Sequence, residues 1–120
     1  MEYKTIQCET VEKGIMQLSL NRPDSYNAVT HLMMEELEDF WRERLYDLDT
    51  VIVILKGNGE KGFCAGLDMK ESMETAPKMT TEEFYRFQAR LARVNLHMRR
   101  APQPIITQVH GAAAGQGFSF

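Results

Sequence analysis

Two turns rich in small residues are the part of this sequence that could do chemistry. The first turn contains Ala65-Gly66-Leu67-Asp68, and the second runs from Gly111 to Gly117. Each follows an apolar run that predicts a buried strand, and glycine permits the backbone angles of a tight turn. Because amides at a helix start lack an intrahelical acceptor, two adjacent turns could direct two N–H groups at one oxygen. An oxyanion site requires this geometry, since it stabilises charge that develops on a carbonyl oxygen.

The spacing alone leaves other interpretations of these turns open. A tight turn without any ligand is the main alternative to an anion or oxyanion site. The glycines of the second turn do not follow the G-x-G-x-x-G spacing of dinucleotide sites, and no Gly-Lys-Ser/Thr completes a phosphate-binding loop. The pattern therefore predicts either a structural turn or a site that binds an oxygen through backbone amides.

Side chains with acid, base or nucleophilic chemistry are scattered along the sequence. Cys64 lies in the first turn without a predicted base, so we expect a small buried thiol. His31 and His97 fall on predicted helices and are expected at the surface, whereas His110 is expected to hold a loop by hydrogen bonds. The arginines of the second predicted helix are expected on a solvated face, with coenzyme phosphates or an adjacent subunit as the alternative partners. These are Arg86, Arg90, Arg93, Arg99 and Arg100.

The spacing of apolar residues along the sequence predicts the strands and helices that must position the two turns. Extended runs from Tyr3 to Leu20 flank a turn at Glu12–Gly14, which predicts a hairpin with its second strand at residues 15–20. Apolar residues at three- and four-residue steps predict two amphipathic helices, and runs rich in isoleucine and valine predict strands. The helices are residues 30–48 and 81–100, and the strands are residues 51–55 and 105–109.

This order of hairpin, helix, strand, helix and strand predicts an α/β fold with parallel strands joined by helical crossovers. Residues 51–55 are apolar without interruption, so we expect that strand to be covered on both faces. Residues 56–62 are expected to form a loop, and the polar stretch 71–81 is the expected mobile region. Glu38 and Arg42 are spaced to pair on the first helix.

Composition bounds the class of protein. The chain has 120 residues, 43% of them hydrophobic and 26% charged, which predicts one globular domain. A net charge of −3 gives no sign of a nucleic-acid partner, and no apolar run is long enough to span a membrane. With no signal-peptide pattern and two distant cysteines, a cytoplasmic protein without a disulfide is expected. The eight methionines are expected to fill the core, with a groove for an acyl chain as the alternative.

Three motifs in order carry a resemblance to a known family. They are Asn21-Arg22-Pro23 with Asn27-Ala28, FCAGLDMKE over residues 63–71, and IITQVHG leading into GAAAGQG over residues 105–117. Together they resemble the crotonase, or enoyl-CoA hydratase/isomerase, superfamily. The resemblance implies a crotonase-like spiral of ββα units that binds an acyl-CoA thioester and assembles as a homotrimer or hexamer. Residues 1–120 would be the N-terminal portion of one such domain, incomplete at the C-terminus.

Phe118-Ser119-Phe120 stands where a helix should open beside a predicted core strand, which also favours a fragment over a complete small domain.

The resemblance also implies the site residues. The two oxyanion amides fall on the backbone of Leu67 and Gln116, where the side chain is free to vary but its neighbours must stay small. Asp68 has a second expected role, as the cap of a short helix that begins at Met69. No metal is expected, and coenzyme A enters only as part of the substrate. The positions implied to contact substrate are Ala28, Ala65, Gly66, Asp68, Met69 and Gly115.

One position departs from the hydratase pattern. Family hydratases use two glutamates. Ser119 occupies the position of the first, and the position of the second would lie beyond Phe120. A serine hydroxyl is a poor general base without an activating partner. The sequence therefore predicts an acyl-CoA-transforming enzyme of the hydratase/isomerase type that stabilises an enolate-like oxyanion, with the reaction type open. The alternative is a coenzyme A-binding or assembly fragment without catalysis of its own.

Overall fold

The computed structural model describes residues 2–120, except for the side chain of Phe118. These residues form six strands and four α-helices, with single 3-10 turns after β2 and α2. In chain order they are β1 (Ile6–Glu12), β2 (Ile15–Leu20), α1 (His31–Arg44), β3 (Ile52–Gly57), β4 (Gly62–Cys64), α2 (Met69–Thr75), α3 (Thr81–Arg100), β5 (Ile105–Gln108), β6 (Ala112–Ala113) and α4 (Gln116–Ser119).

The main sheet has four strands in the order β1-β2-β3-β5. The hairpin strands β1 and β2 are antiparallel, whereas β3 is parallel to both β2 and β5. Helix α1 connects β2 to β3, and α3 lies between β3 and β5 in the chain, as parallel neighbours require. The predicted α/β class is confirmed. The predicted hairpin, helices and strands occur in the predicted order, but the short strands β4 and β6 were not predicted.

A second, two-stranded sheet brings the two small-residue turns together. Strands β4 and β6 are parallel, with Gly62 opposite Ala112 and Cys64 opposite Ala113. Parallel strands end at the same edge of a sheet, so the residues after Cys64 and after Ala113 leave side by side. This short pairing is the element of the fold that positions the candidate site.

The hydrophobic core lies between the main sheet, α1 and α3. Helix α1 buries one face against the sheet, and Leu91 and Val94 bring α3 against the same cluster. The fully covered residues of α1 and the sheet include Leu18, Leu20, Met33, Met34, Leu37, Phe40, Trp41, Val53 and Leu55.

Polar caps explain where the helices begin. The Thr30 hydroxyl accepts the Met33 amide at the start of α1, and the Thr80 hydroxyl accepts the Glu83 amide at the start of α3. Each hydroxyl satisfies an amide that has no partner within its helix. The predicted bounds of β2 and α3 agree with the structure.

Two predicted bounds were wrong. The first helix ends at Arg44 rather than Leu48, because the Asp47 carboxylate accepts the amides of Asp49 and Thr50 and holds a turn there. The second is the expected loop 56–62, which is shorter in the structure. Its first two residues belong to β3, and Gly62 belongs to β4.

The stretch expected to be mobile contains most of α2, followed by the 3-10 turn Ala76–Lys78. In β3 the buried residues Val53, Leu55 and Gly57 alternate with half-buried ones. Within residues 2–120 this strand is therefore fully covered on one face, not on both as predicted.

Ion pairs join α1 to α3, which corrects the predicted pairing of Glu38 with Arg42. The carboxylate of Glu38 receives Arg90 Nε at 3.1 Å and Arg93 Nε at 3.4 Å, so it does not pair with Arg42. Arg42 instead lies 3.5 Å from Asp39. Arg90 is half-buried at this helix contact, whereas Arg93 stays exposed. The other arginines of α3 are exposed as predicted, and Arg86 pairs there with Glu82; they are Arg86, Arg99 and Arg100.

Candidate functional site

The turns after β4 and β6 pack backbone against backbone. A methyl group at Gly66 would lie 2.9 Å from the carbonyl oxygen of Ala114 and 3.6 Å from the nitrogen of Gln116. A methyl group at Gly115 would lie 3.7 Å from the Gly66 Cα. Both glycines have positive φ angles, 96° and 54°, which L side chains rarely adopt. Glycine at these two positions allows the turns to meet.

The Leu67 amide is oriented by the peptide groups on either side of it. Val29 donates its N–H to the Gly66 carbonyl at 2.7 Å, and Asp68 donates its N–H to the Val29 carbonyl at 2.8 Å. The Gly66 carbonyl and the Leu67 N–H belong to one trans peptide unit, so they point in opposite directions. The Leu67 N–H therefore points away from Val29, and no acceptor for it is found within residues 2–120.

The Gln116 amide is free for a different reason. Gln116 is the first residue of α4, and amides in the first helical turn have no acceptor within the helix. Its neighbours are occupied, since Gly117 donates to the Ala114 carbonyl at 2.9 Å and Ser119 donates to the Gly115 carbonyl at 3.2 Å. In the part of the chain that the structure describes, the Gln116 N–H has no acceptor.

Asp68 caps α2, which was its alternative expected role. Its carboxylate accepts the Glu71 amide at 3.0 Å and lies 3.0 Å from Nη1 of Arg22. The hydrogen bond from the Glu71 amide, with help from Arg22, holds the pKa of Asp68 below its usual range although burial acts in the opposite direction. The carboxylate is engaged in fixing the residue next to Leu67.

The Asn27-Ala28 turn packs beside the first turn. Asn27 is fully buried, and its side chain accepts the Arg22 amide while donating to the carbonyls of Asn58 and Gly62. The Arg22 guanidinium donates to the Ala28 carbonyl at 2.6 Å. Arg22 thus contacts both Ala28 and Asp68. Ala28 is 8% exposed, so only its edge is open to a ligand.

The other implied contact positions differ in exposure. Ala65 is exposed and donates its amide to the Tyr26 carbonyl at 3.0 Å, whereas Gly66 is buried. Met69 is 68% exposed at the start of α2. These positions surround the two free amides, but their roles as substrate contacts stay predictions.

Cys64 is a buried thiol, as expected. It is fully covered at the end of β4, and burial raises its pKa despite a hydrogen bond from the Gly66 amide. A thiol held neutral in this way is a weak nucleophile at neutral pH.

His110, Ser119 and His31 make contacts of their own. His110 contacts the Gly59 carbonyl through Nε2 at 2.8 Å, which is the loop role expected of it. The Ser119 hydroxyl donates to the Gly115 carbonyl at 3.4 Å. His31 and His97 are half-buried rather than freely exposed. His31 stacks on Phe87 with ring centres 4.4 Å apart, a contact that the sequence did not indicate.

An apolar cavity of about 250 Å³ adjoins the first turn. Sequence reasoning missed it, although an acyl groove lined by methionine was considered. It lies between α2 and α3, and Leu67 contributes to its wall. The lining residues are His31, Leu67, Met69, Ser72, Thr75, Ala76, Met79, Phe84, Phe87 and Gln88.

Gly57, Gly59 and Gly62 have the G-x-G-x-x-G spacing of dinucleotide sites. They join β3 to β4 and do not open a helix, so the structural context of such a site is missing.

Within residues 2–120 no group of three or more histidine, cysteine or acidic residues is placed to hold a metal ion. In the same range, no helix combines the length and apolar character needed to cross a membrane.

Comparisons with known proteins agree on one family. Residues 15–120 match the family model described as enoyl-CoA hydratase/isomerase. The 1,2-epoxyphenylacetyl-CoA isomerase of Escherichia coli (strain K12) is 34% identical over 113 residues, which cover 89% of this chain and 40% of that protein.

Solved structures give the same result. An enoyl-CoA hydratase from Shewanella pealeana superposes with a TM-score of 0.88 at 31% identity, covering 97% of this chain and 43% of that one. An enoyl-CoA hydratase from Bacillus anthracis has a TM-score of 0.86 at 29% identity, with the same coverage. The predicted crotonase-like fold is confirmed, and this chain spans about 40% of the length of the curated relatives it matches. The chain therefore belongs to the enoyl-CoA hydratase/isomerase, or crotonase, family.

Proposed function

We propose that the amides of Leu67 and Gln116 form an oxyanion hole for the thioester carbonyl of an acyl-CoA. One observation carries this proposal. The Gly66 carbonyl is bound to Val29, so the Leu67 N–H of the same peptide unit points away from Val29. The neighbouring Gly66 Cα packs against the turn that bears the free Gln116 amide.

The chemistry follows from where charge develops. Polarising a thioester carbonyl moves negative charge onto its oxygen, and an enolate-like intermediate carries most of that charge there. Two fixed amides stabilise this oxygen without having to reorganise during the reaction. Removing one donor from such a site typically costs a factor of 10²–10³ in turnover, about 3–4 kcal/mol.

The residues around the amides would divide the remaining work. Gly66 and Gly115 leave room for the thioester to approach the main chain, and Ala65 and Met69 line its path. Ala28 would contact the coenzyme, next to the Arg22 guanidinium that holds its carbonyl. Asp68 would act mainly by fixing the Leu67 backbone, because its carboxylate is occupied by the Glu71 amide and Arg22.

A second candidate is a chain that binds coenzyme A or assembles with other subunits but catalyses nothing. Ser119 favours it, because the hydroxyl at the first family glutamate position contacts a backbone carbonyl and no base. Hydratase, isomerase, hydrolase and lyase chemistry share the oxyanion amides and differ in their acid and base groups. The reaction type is therefore left open within the family.

Further parts of the proposal rest on family membership. The chain would form the N-terminal portion of one acyl-CoA-binding domain and assemble as a homotrimer or hexamer in the cytoplasm. It would need no cofactor beyond the coenzyme A of its substrate.

The test removes one amide without removing a side-chain function. Gln116→Pro deletes the N–H at the first position of α4, where proline is well tolerated. Gln116→Ala is the matched control that keeps the amide. In the full-length gene product we expect Gln116→Pro to lower turnover of crotonyl-CoA by about 10²–10³-fold, with Gln116→Ala within a few-fold of wild type.

Equal turnover by a folded Gln116→Pro variant and by Gln116→Ala would refute the oxyanion role. Calorimetric titration with acetyl-CoA and with coenzyme A then separates the two candidates. Binding of either ligand by wild type without any turnover overnight supports the non-catalytic candidate.

A further inference from the structure

We propose that Arg22 is a positioning residue that fixes the direction in which the Leu67 amide points. It does so by tying the first turn, through Asp68, to the segment that carries Ala28 and Val29. This inference rests on the proposed oxyanion function, because the direction of the Leu67 N–H matters only if it binds the thioester carbonyl oxygen. Arg22 is not among the residues expected to contact substrate, so the two proposals can fail separately.

The backbone of Arg22 is held in place where its side chain begins. Its carbonyl accepts the amide of Ser25 at 2.9 Å and the amide of Asn27 at 2.8 Å. Its own amide donates to Oδ1 of Asn27 at 2.8 Å, and Asn27 is fully buried. The next residue, Pro23, begins a 3-10 turn with a φ angle that its ring restricts. The side chain of Arg22 therefore extends from a fixed point.

One nitrogen of the Arg22 guanidinium contacts two separate segments of the chain. Its Nη1 donates to the Ala28 carbonyl at 2.6 Å and lies 3.0 Å from Oδ2 of Asp68. This nitrogen carries two hydrogens, one for each oxygen. The side chains of Arg22 and Asp68 are only 24% and 15% exposed, so water screens their attraction less than it screens an open surface pair. Arg22 thus fastens Asp68 to Ala28.

Leu67 lies between the points that these contacts hold. On one side of it, the Gly66 carbonyl accepts the Val29 amide. On the other side, the Asp68 amide donates to the Val29 carbonyl, and the Asp68 carboxylate binds Arg22. Val29 and Leu67 also form an isolated parallel bridge. A peptide held on both sides cannot turn freely, so the Leu67 N–H keeps one direction before a ligand arrives, as electrostatic preorganisation requires.

Loss of the guanidinium should loosen this arrangement without unfolding it. Asp68 keeps its bonds to the Val29 carbonyl and the Glu71 amide, and the Ala28 amide still donates to the Ser25 carbonyl at 2.9 Å. What is lost is the link between the two segments. A shift of about 1 Å in a group that acts on the reacting atoms can cost a factor of about 10² in rate. Binding of the coenzyme should change little, because the Ala28 backbone stays in place.

The first measurement separates kcat from KM for crotonyl-CoA in the full-length gene product. We expect Arg22→Met to lower kcat by about 10–10²-fold and to leave KM within about threefold of wild type. Arg22→Lys keeps the charge but reaches one bond less far, so its kcat should lie between those of Arg22→Met and wild type. Arg42→Met is the matched control, because it also breaks an arginine–aspartate pair. Arg42 is 57% exposed beside Asp39 on α1, so this variant should match wild type.

The second measurement observes the thioester carbonyl itself. Butyryl-CoA is a saturated thioester, and a ¹³C label at its carbonyl isolates the carbonyl stretching band in infrared difference spectra of the complex. Hydrogen bonds to the oxygen weaken the C=O bond and lower this frequency. We expect wild type and Arg42→Met to lower it relative to butyryl-CoA in water, and Arg22→Met to lower it less. A variant that is merely less stable would not change the frequency in the molecules that remain folded.

The outcomes distinguish the two proposals. If wild type lowers the frequency but Arg22→Met keeps the wild-type frequency, the positioning role is refuted and the proposed function stands, whether or not kcat falls. A rise in KM at unchanged kcat also refutes the positioning role, because the guanidinium would then serve binding alone. If wild type does not lower the frequency, the proposed oxyanion function itself fails. Should Arg22→Met not fold, Arg22→Lys is judged by the same criteria.

Discussion

Asp68 couples the position of the Leu67 backbone to pH. Its carboxylate accepts the Glu71 amide at the start of α2 and pairs with Arg22, which in turn donates to the Ala28 carbonyl. Because the charged form makes these contacts, the pKa of Asp68 is lowered in the folded protein. A lowered carboxyl pKa adds stability above the unfolded value of about 3.9, and this stability is lost as pH falls through the folded value.

We expect Asp68→Asn to remove the charge while keeping a good capping group. At pH 7 the variant should be less stable by about 0.3–1 kcal/mol, the usual effect of an anion at a helix start. The difference from wild type should be full above the unfolded pKa of about 3.9 and shrink as pH falls through the lowered folded pKa, where the wild-type carboxyl becomes protonated as well. Urea unfolding across this pH range measures it.

Asp24→Asn is the control for that series. Asp24 is exposed, and no ion pair involves it within residues 2–120, so Asp24→Asn should leave the stability at pH 7 within about 0.5 kcal/mol of wild type. A constant gap between Asp68→Asn and wild type from pH 7 to pH 2 would contradict the electrostatic role of Asp68.

At the scale of elements, the contact between α4 and β4 sets the distance between the two turns. A methyl group at Gly117 would lie 2.4 Å from the Cys64 carbonyl oxygen and 2.6 Å from its Cβ. Both atoms belong to a buried strand end, so neither can easily move.

We therefore expect Gly117→Ala to displace α4 and with it the Gln116 amide. Overpacking of this kind costs about 1–3 kcal/mol of stability. If Leu67 and Gln116 act together, turnover should fall as well, and both effects are measurable by thermal unfolding and a crotonyl-CoA assay. Ser119→Ala changes an exposed side chain of the same helix and should leave stability within about 0.5 kcal/mol of wild type. Wild-type stability of Gly117→Ala would show that α4 can shift freely.

The sequence predicted the bounds of an element where residues close to its ends determine them. Apolar and polar residues alternate along β2, and α3 begins after a threonine cap and ends before two prolines. The bounds of both elements could therefore be predicted from the sequence. The end of α1 could not, because its apolar period continues past Arg44 while the Asp47 side chain holds a turn. The pairing of Glu38 with Arg90 and Arg93 joins residues more than fifty positions apart, which no local spacing indicates.

The candidate site was predicted in part for a similar reason. Small residues at 65–66 and 111–117 indicated two turns, but their contact depends on strands of only three and two residues. Such short strands have no hydrophobic period to detect, so family resemblance rather than periodicity placed Leu67 beside Gln116. The stack of His31 on Phe87 depends on packing between α1 and α3, and nothing near His31 in the sequence indicates it.

At the scale of the whole molecule, the two edges of the main sheet differ in how they resist pairing with another chain. Strand β1 carries Glu9 and Glu12 along its edge, and charges of this kind discourage edge-to-edge association. Strand β5, with the sequence IITQ, carries none, and Ile106 is 55% exposed. In the described residues β5 pairs only with β3, which leaves its other edge open.

We expect the 120-residue chain to self-associate through the β5 edge at micromolar concentrations, because an uncharged edge with an exposed isoleucine is a template for strand pairing. Size-exclusion chromatography with light scattering measures the mass of the species formed. Ile106→Lys should shift the chain toward monomer, since a charge at this position would be buried in the contact. Val11→Lys, at an exposed position on the opposite edge, is the matched control and should leave the distribution unchanged. A wild-type chain that remains monomeric at about 100 μM would contradict association through the β5 edge.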